Sequence, residues 1–335
     1  MYEDRSAYNL MGPVRTLRIE TSNYDITTGE VQPSRGFTLV RFREDGKISA
    51  IEYQNPDGSS GRTENTFDDA GRLAETRFTG PDGRVWRQVY EYGPSARLER
   101  VVAVEPDGSE RLREEYRYLD DGRSIMTREE FAPAGTLFMS YRELEQITQV
   151  QDAVRMQVFR DRNGRAAEVQ FFDAAGALIR RLVLPRDAQG KLTEERLEWG
   201  EAESPFPQLP AEAAKAAFEG RTLTSTTYAY DEQGRVREQR RRFGRIGDER
   251  VSKRYDQYGN LIEQISDSAS TELHLGQPGA VEADPATTTS QHTRIEYEYD
   301  SRGNWTGKTI LSRVPPDGEF RRTNAERRTL TYYDS

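Results

Sequence analysis

Turns recur along this chain at the spacing of one β-strand, and that rhythm leaves few folds open. Gly46, Gly58, Gly71, Gly83, Gly108, Gly122 and Gly135 mark turns about 12–14 residues apart, and Gly93-Pro94-Ser95-Ala96-Arg97-Leu98 fills the one gap. Each interval holds a strand of about eight residues and a turn, the spacing of an antiparallel up-and-down meander.

Two kinds of turn alternate. One follows an aromatic or Leu-rich strand and reads Asp-x-x-Gly or Asp-Gly before Arg, Lys or Asn, as in Arg43-Glu44-Asp45-Gly46-Lys47, Asp68 to Arg72, and Leu119-Asp120-Asp121-Gly122-Arg123. The other is Pro-Asp-Gly, at 56–58, 81–83, 106–108 and 316–318. Proline pre-sets φ, Asp bonds its own backbone, and Gly accepts positive φ. Like turns return about every 25 residues, so the unit is a two-stranded hairpin and each kind of turn lines one edge of the sheet. The strands alternate with period two: Ile295, Tyr297 and Tyr299 face one way, Glu296, Glu298 and Asp300 the other. Trp86, Tyr90 and Tyr92 share a face whose reverse carries Val85 and Val89, so some strands are apolar on both faces.

Roughly 25 strands at ~4.8 Å each would extend flat over ~120 Å, and open twisted sheets seldom pass about ten strands without curling. The expected fold is therefore all-β: one continuous array over 1–335, a long antiparallel meander coiled into an open shell or superhelical sheet, with one short helical insertion. A propeller would need four-stranded blades of about 40–50 residues, whereas the visible period is two strands. A barrel or sandwich is the remaining alternative.

Three stretches break the rhythm. Residues 138–160 hold no Gly or Pro, and the strand phase is not legible through them. Residues 200–221 form an insertion whose second half, Pro210 to Gly220, reads as a short helix with Pro in its first turn and Gly at its end. Residues 267–292, rich in Ser, Thr, Ala, Gly and Pro, read as a long mobile loop. If Arg186 to Lys191 is a turn of the first kind, both insertions replace Pro-Asp-Gly turns and protrude from one edge.

The phrases Tyr228-Ala229-Tyr230-Asp231-Glu232-Gln233-Gly234-Arg235-Val236, Tyr255-Asp256-Gln257-Tyr258-Gly259-Asn260-Leu261 and Tyr297-Glu298-Tyr299-Asp300-Ser301-Arg302-Gly303-Asn304-Trp305 resemble the YD repeats of RHS proteins, with looser copies over most of 36–335. The resemblance implies hairpins coiled into a hollow β-shell and slightly favours an extracytoplasmic or cell-surface location. The sequence departs from that family in having no toxin domain and no self-cleaving core region after the repeats. The resemblance therefore implies a fold and does not imply a toxin.

Composition bounds the chemistry. The chain has no cysteine, a net charge of −9 and no basic footprint for nucleic acid. Its one compact basic run, Arg240-Arg241-Arg242, lies in a strand-like stretch and reads as solvated or paired across strands. No apolar run is long enough for a transmembrane helix and residues 1–20 hold no signal-peptide core, so no transmembrane segment is expected. There is no Gly-x-Ser-x-Gly elbow, P-loop or His-Glu-x-x-His, and the two histidines, His274 and His292, fall in the loop-like segment. No catalytic, cofactor or metal residue is therefore assigned; Trp86, Trp199 and Trp305 are the candidate ligand-contact aromatics.

The leading expectation is a non-catalytic scaffold or binding protein that engages a protein or glycan, with self-association through the edge strands of an open array. The alternatives are a hydrolase with an acidic pair in the concave face, and a fragment or relative of a toxin-delivery shell.

Overall fold

The computed structural model describes residues 4–32, 36–131, 150, 153–200, 221–244, 247–270, 273–275, 281–283, 287–314 and 318–333. Its strands in chain order are β1 (Val14–Tyr24), β2 (Val31–Gln32), β3 (Phe37–Phe42), β4 (Ile48–Gln54), β5 (Ser60–Phe67), β6 (Leu73–Thr79), β7 (Val85–Tyr92) and β8 (Leu98–Val104). Then come β9 (Glu110–Tyr118), β10 (Ser124–Glu130), β11 (Arg155–Arg160), β12 (Ala166–Phe172), β13 (Leu178–Val183), β14 (Glu194–Trp199), β15 (Thr222–Tyr230) and β16 (Val236–Phe243). The series ends with β17 (Gly247–Tyr255), β18 (Leu261–Ser270), β19 (Leu273–Leu275), β20 (Val281–Ala283), β21 (Thr287–Tyr299), β22 (Trp305–Val314) and β23 (Glu319–Tyr332).

The meander is present, but it does not remain open. β1 pairs antiparallel with β3 on one side and with β23 on the other, so the first strand of the sheet is also the neighbour of its last. Setting aside the short β2, which pairs with β1, 20 of the 21 strands of the main sheet form a closed ring, a β-barrel by its strand order. This corrects the open shell or superhelical sheet, and with it the RHS-type shell that the tyrosine phrases implied. It also corrects the expectation of self-association through terminal edges, because both long edges of β1 and the outer edge of β23 are spent on closure. The expectation of no transmembrane segment falls with it. That expectation rested on the lack of an apolar helix, and a closed antiparallel ring is the other architecture by which chains cross a bilayer. No α-helix occurs among the described residues, and most of the insertion expected to hold one, residues 201–220, lies outside them. The segment 267–292 contains strand: β18 runs to Ser270, β19 pairs with β20, and β21 begins at Thr287.

Both kinds of turn share one backbone loop. The N–H of the first residue donates to the carbonyl of the fifth, and the N–H of the fourth returns to the carbonyl of the first. Asp68/Arg72 with Gly71 and Asn55/Ser59 with Gly58 both follow this plan. The fourth residue is left-handed, with φ +73° at Gly71 and +87° at Gly58. Ala96 occupies the same place at φ +58° without being glycine. A left-handed L-residue costs about 1–2 kcal/mol, so Ala96→Gly should stabilise the protein by about 0.5–1 kcal/mol in urea unfolding, after the extra entropy of glycine in the unfolded chain.

Tyrosines next to several of the turns bond to neighbouring turns along the same edge. Tyr92 donates to the Leu73 carbonyl at 3.0 Å, Tyr230 to Leu192 at 2.7 Å and Tyr297 to Leu261 at 3.1 Å. A basic residue of the turn covers the ring, as Arg72, which follows Gly71, does over Tyr92 at 4.4 Å, and Arg302, which precedes Gly303, over Tyr332 at 4.1 Å. Tyr332 also donates to Asp300, and Tyr299 to Asp256.

Burial by itself raises the Asp300 carboxyl. Donation from Tyr332 and from the N–H groups of Asn304 and Arg302 outweighs it and holds the group below the ordinary aspartate value. Asp256 is lowered in the same way by Tyr299, Asn260 and Tyr258. A carboxylate depressed by folding adds stability above its unfolded pKa and loses it as pH falls through the folded value. The melting temperature should therefore hold level with respect to these turns between pH 5 and 8 and drop below about pH 4. Asp300→Asn should remove part of that acid dependence.

The chain divides into two compact units, Met1–Arg111 with Tyr255–Glu263 and His292–Ser335, and Leu112–Arg254 with Gln264–Gln291. The first is centred on Val14, Leu17, Val40, Phe42 and Ile48. The second has a larger apolar cluster that includes Met126, Met156, Val158, Val169, Phe171 and Leu182.

Candidate functional site

In the second unit the sheet face that carries the apolar cluster changes character towards β15. Along β11 to β13 that face presents Val158, Val169 and Leu182, which pair directly across the strands. That row continues through Leu197 of β14 to Thr224 of β15, and two residues away on the same face a second row is polar: Glu195 lies opposite Thr226, Thr226 opposite Arg241, and Arg241 opposite Glu249. Period-two alternation makes this row continuous, since opposed residues in an antiparallel pair share a face.

A cavity of about 240 Å³ opens on this row. β15 contributes Thr226, β16 Gln239 and Arg241, β17 Glu249, Val251 and Lys253, and β18 Gln264. Val251 is the single apolar side chain of the lining. Glu249 accepts from Ser266 Oγ at 3.0 Å and faces Arg241 at 3.7 Å, an ion-pair distance too long for a hydrogen bond. Among the described residues no protein acceptor lies within hydrogen-bond reach of the Arg241 guanidinium, whose side chain is 26% exposed. The Thr226 hydroxyl and the Gln264 amide likewise make no side-chain hydrogen bond, and Thr226 is 3% exposed. Three donor groups therefore meet one cavity with their hydrogen-bonding capacity unspent, which is costly unless something polar fills it.

The sequence pointed elsewhere. Trp305 is 6% exposed, edge-on to Tyr297 at 5.7 Å, with the Arg328 guanidinium 3.4 Å from its ring centre. Trp86 is half-buried and donates Nε1–H to Glu105 at 2.7 Å. Trp199 ends β14, opposite Arg180. The three tryptophans do not line the cavity.

His292 lies in β21, its Nε2 2.8 Å from Glu263 Oε1 and its ring edge-on to Phe320. His274 is on β19. No group of three or more metal-ligating side chains occurs among the described residues.

The residue that sequence reasoning missed is Arg241. Read as part of a basic run it belongs with its neighbours, but strand alternation separates them. Arg240 and Arg242 are exposed beside Glu238 and Asp248, while Arg241 turns to the cavity. The available signal was the strand itself, because the middle of three consecutive strand residues faces opposite to the outer two.

On the reverse of the sheet the mid-strand row is Gln157, Gln170, Arg181 and Glu198. Arg181 binds Glu168 through two bonds of 2.8 Å and lies 3.8 Å from Glu198.

No family model and no curated protein matches the chain. Solved structures to which it is similar include a porin-like protein from Bacteroides uniformis, at 9% identity and a TM-score of 0.36, covering 96% of this chain and 99% of that one. A porin-like protein from Bacteroides vulgatus aligns at 8% identity and a TM-score of 0.25, over 97% and 99% of the two chains. Likeness at this level assigns no activity. With no family match, the YD phrases do not place the chain among RHS proteins.

Proposed function

We propose that the protein is a non-enzymatic binding protein of the outer membrane or cell surface, which holds a small hydrophilic solute in the cavity of its second unit. The observation that carries this reading is the set of unspent donors on Thr226, Arg241 and Gln264 around one solvent-open cavity. Among the described residues of the lining the single carboxylate, Glu249, is occupied by Ser266 and faces Arg241, so these residues offer no pair of carboxylates for acid–base hydrolysis.

The test is to fill the cavity. Val251→Trp should abolish calorimetric binding of small hydrophilic solutes while leaving the far-ultraviolet circular dichroism unchanged. Unaltered binding in the filled variant would remove the cavity from the reading. Cell fractionation tests the location: recovery in the cytosol would overturn it.

A second reading, a channel that crosses the outer membrane by its strands, is favoured by closure of the ring. It requires rows such as Arg181 and Glu198 to lie outside the hydrocarbon, since Arg or Lys at the bilayer midplane costs about 2–4 kcal/mol. Single-channel conductance in a planar bilayer would select this reading, and its absence would remove it.

A further inference from the structure

We infer, on the basis of the binding reading above, that the ligand carries a carboxylate, and that Arg241 reads it with Thr226 and Gln264 as accompanying donors. The inference starts from the balance of donors and acceptors. A guanidinium has five N–H donors and no acceptor, in a fork that matches a carboxylate. Arg241 places that fork on the cavity with no protein hydrogen bond among the described residues. Thr226, buried and directly opposite Arg241 across the β15–β16 ladder, adds a hydroxyl. Gln264 adds an amide from β18. Lys253 gives the lining a second cation, against Glu249 as its one anion. An acceptor-rich anion satisfies this set, whereas a neutral solute offers the guanidinium donors no charged acceptor.

Glu249 has a defined part. It faces Arg241 at 3.7 Å and is held by Ser266 at 3.0 Å, so it offsets one of the two cations of the lining without consuming the donors of Arg241. A bound carboxylate must share the guanidinium with it, and Glu249 therefore weakens binding. Size narrows the class. A volume of about 240 Å³ holds roughly eight waters at about 30 Å³ each, below the usual range for drug-sized ligands. The class is a small hydroxy acid, with the carboxylate on Arg241 and hydroxyls on the amides and Thr226.

Calorimetry on the full chain with gluconate, glucose and inorganic phosphate tests this. Gluconate should bind at least about tenfold more tightly than glucose, the neutral molecule of similar size, because a hydrogen bond to a charged group is the stronger kind. Arg241→Gln should lower gluconate affinity about 10–100-fold and glucose affinity by no more than about threefold, the loss of one hydrogen bond to a neutral partner. Arg241→Lys should recover only part of the loss, since it keeps the charge and loses the fork. Thr226→Val should cost a further factor of about 3–10, and Glu249→Gln should raise gluconate affinity about fivefold. Melting temperatures near wild type in each variant exclude a folding defect.

Equal binding of gluconate and glucose, or an unchanged gluconate affinity in Arg241→Gln, overturns the carboxylate inference. The binding reading survives that result if Val251→Trp abolishes both. If phosphate binds as tightly as gluconate, the site reads inorganic oxyanions and the hydroxy-acid assignment falls. No measurable binding of any probe overturns the inference as well.

Discussion

Trp305→Ala should destabilise the protein by about 4 kcal/mol, measured by urea unfolding. The indole is almost fully buried at the start of β22, so removing it loses both its transfer free energy and the packing around the vacated space. Its loss has a second consequence. Arg328 lies over the ring at 3.4 Å, beside Glu326 at 3.6 Å, and donates to the Tyr8 carbonyl at 3.1 Å. A guanidinium this deep depends on the π face for part of its compensation, and alanine leaves the charge without it. Trp305→Phe retains a face for Arg328 and should cost only about half as much. Gluconate affinity in Trp305→Ala should match wild type, because Trp305 is not among the cavity residues. A loss of binding without a loss of stability would return Trp305 to the role of a ligand contact.

How much of this was legible differs from residue to residue. The turns were readable because their chemistry is local. Glycine at positive φ and aspartate bonding the N–H four residues on, as Asp231 does for Arg235 at 2.9 Å, are set within five residues. The alternation of two turn kinds gave hairpins in the correct order.

Closure was not readable. It depends on β1 meeting β23 across the whole length of the chain, and nothing in Val14-Arg15-Thr16-Leu17-Arg18-Ile19 names a second neighbour. The stretch 267–292 was misread by composition. Serine and threonine suggested a loop, yet threonine is also a strand former, and Ser268 meets Thr289 at 2.7 Å while Ser290 bonds Asp267 at 2.6 Å. Arg241 was hidden by its neighbours: three arginines in a row look like one patch until a strand divides them. The site itself could not be foreseen, because its lining comes from four strands and becomes a cavity only through the register that sets the strands beside one another.

Leu17→Ala should cost about 3–4 kcal/mol and should do so by opening the ring. Leu17 is 0% exposed and sits directly opposite Val40 of β3 and Leu330 of β23, so one side chain is packed against both neighbours of the closing strand. Around it lie Val14, Phe42 and Ile48, in a cluster with five buried members among the described residues, against eleven in the second unit. A small cluster leaves less surrounding side chain to relax into a cavity, which pushes the cost towards the upper part of the Leu→Ala range. The hydrogen bonds of the seam remain available after the substitution, but the packing that holds β1 to β23 does not. Amide exchange should therefore quicken first in Leu17–Asn23 and Asn324–Leu330, ahead of the turns. An opened seam presents two unpaired strand edges, the template for chain-to-chain pairing that closure removes in the native protein. Size-exclusion chromatography of Leu17→Ala at raised concentration should accordingly show concentration-dependent association that wild type lacks. Uniform acceleration of exchange with no association would mean that Leu17 supports the core of its unit without securing the closure.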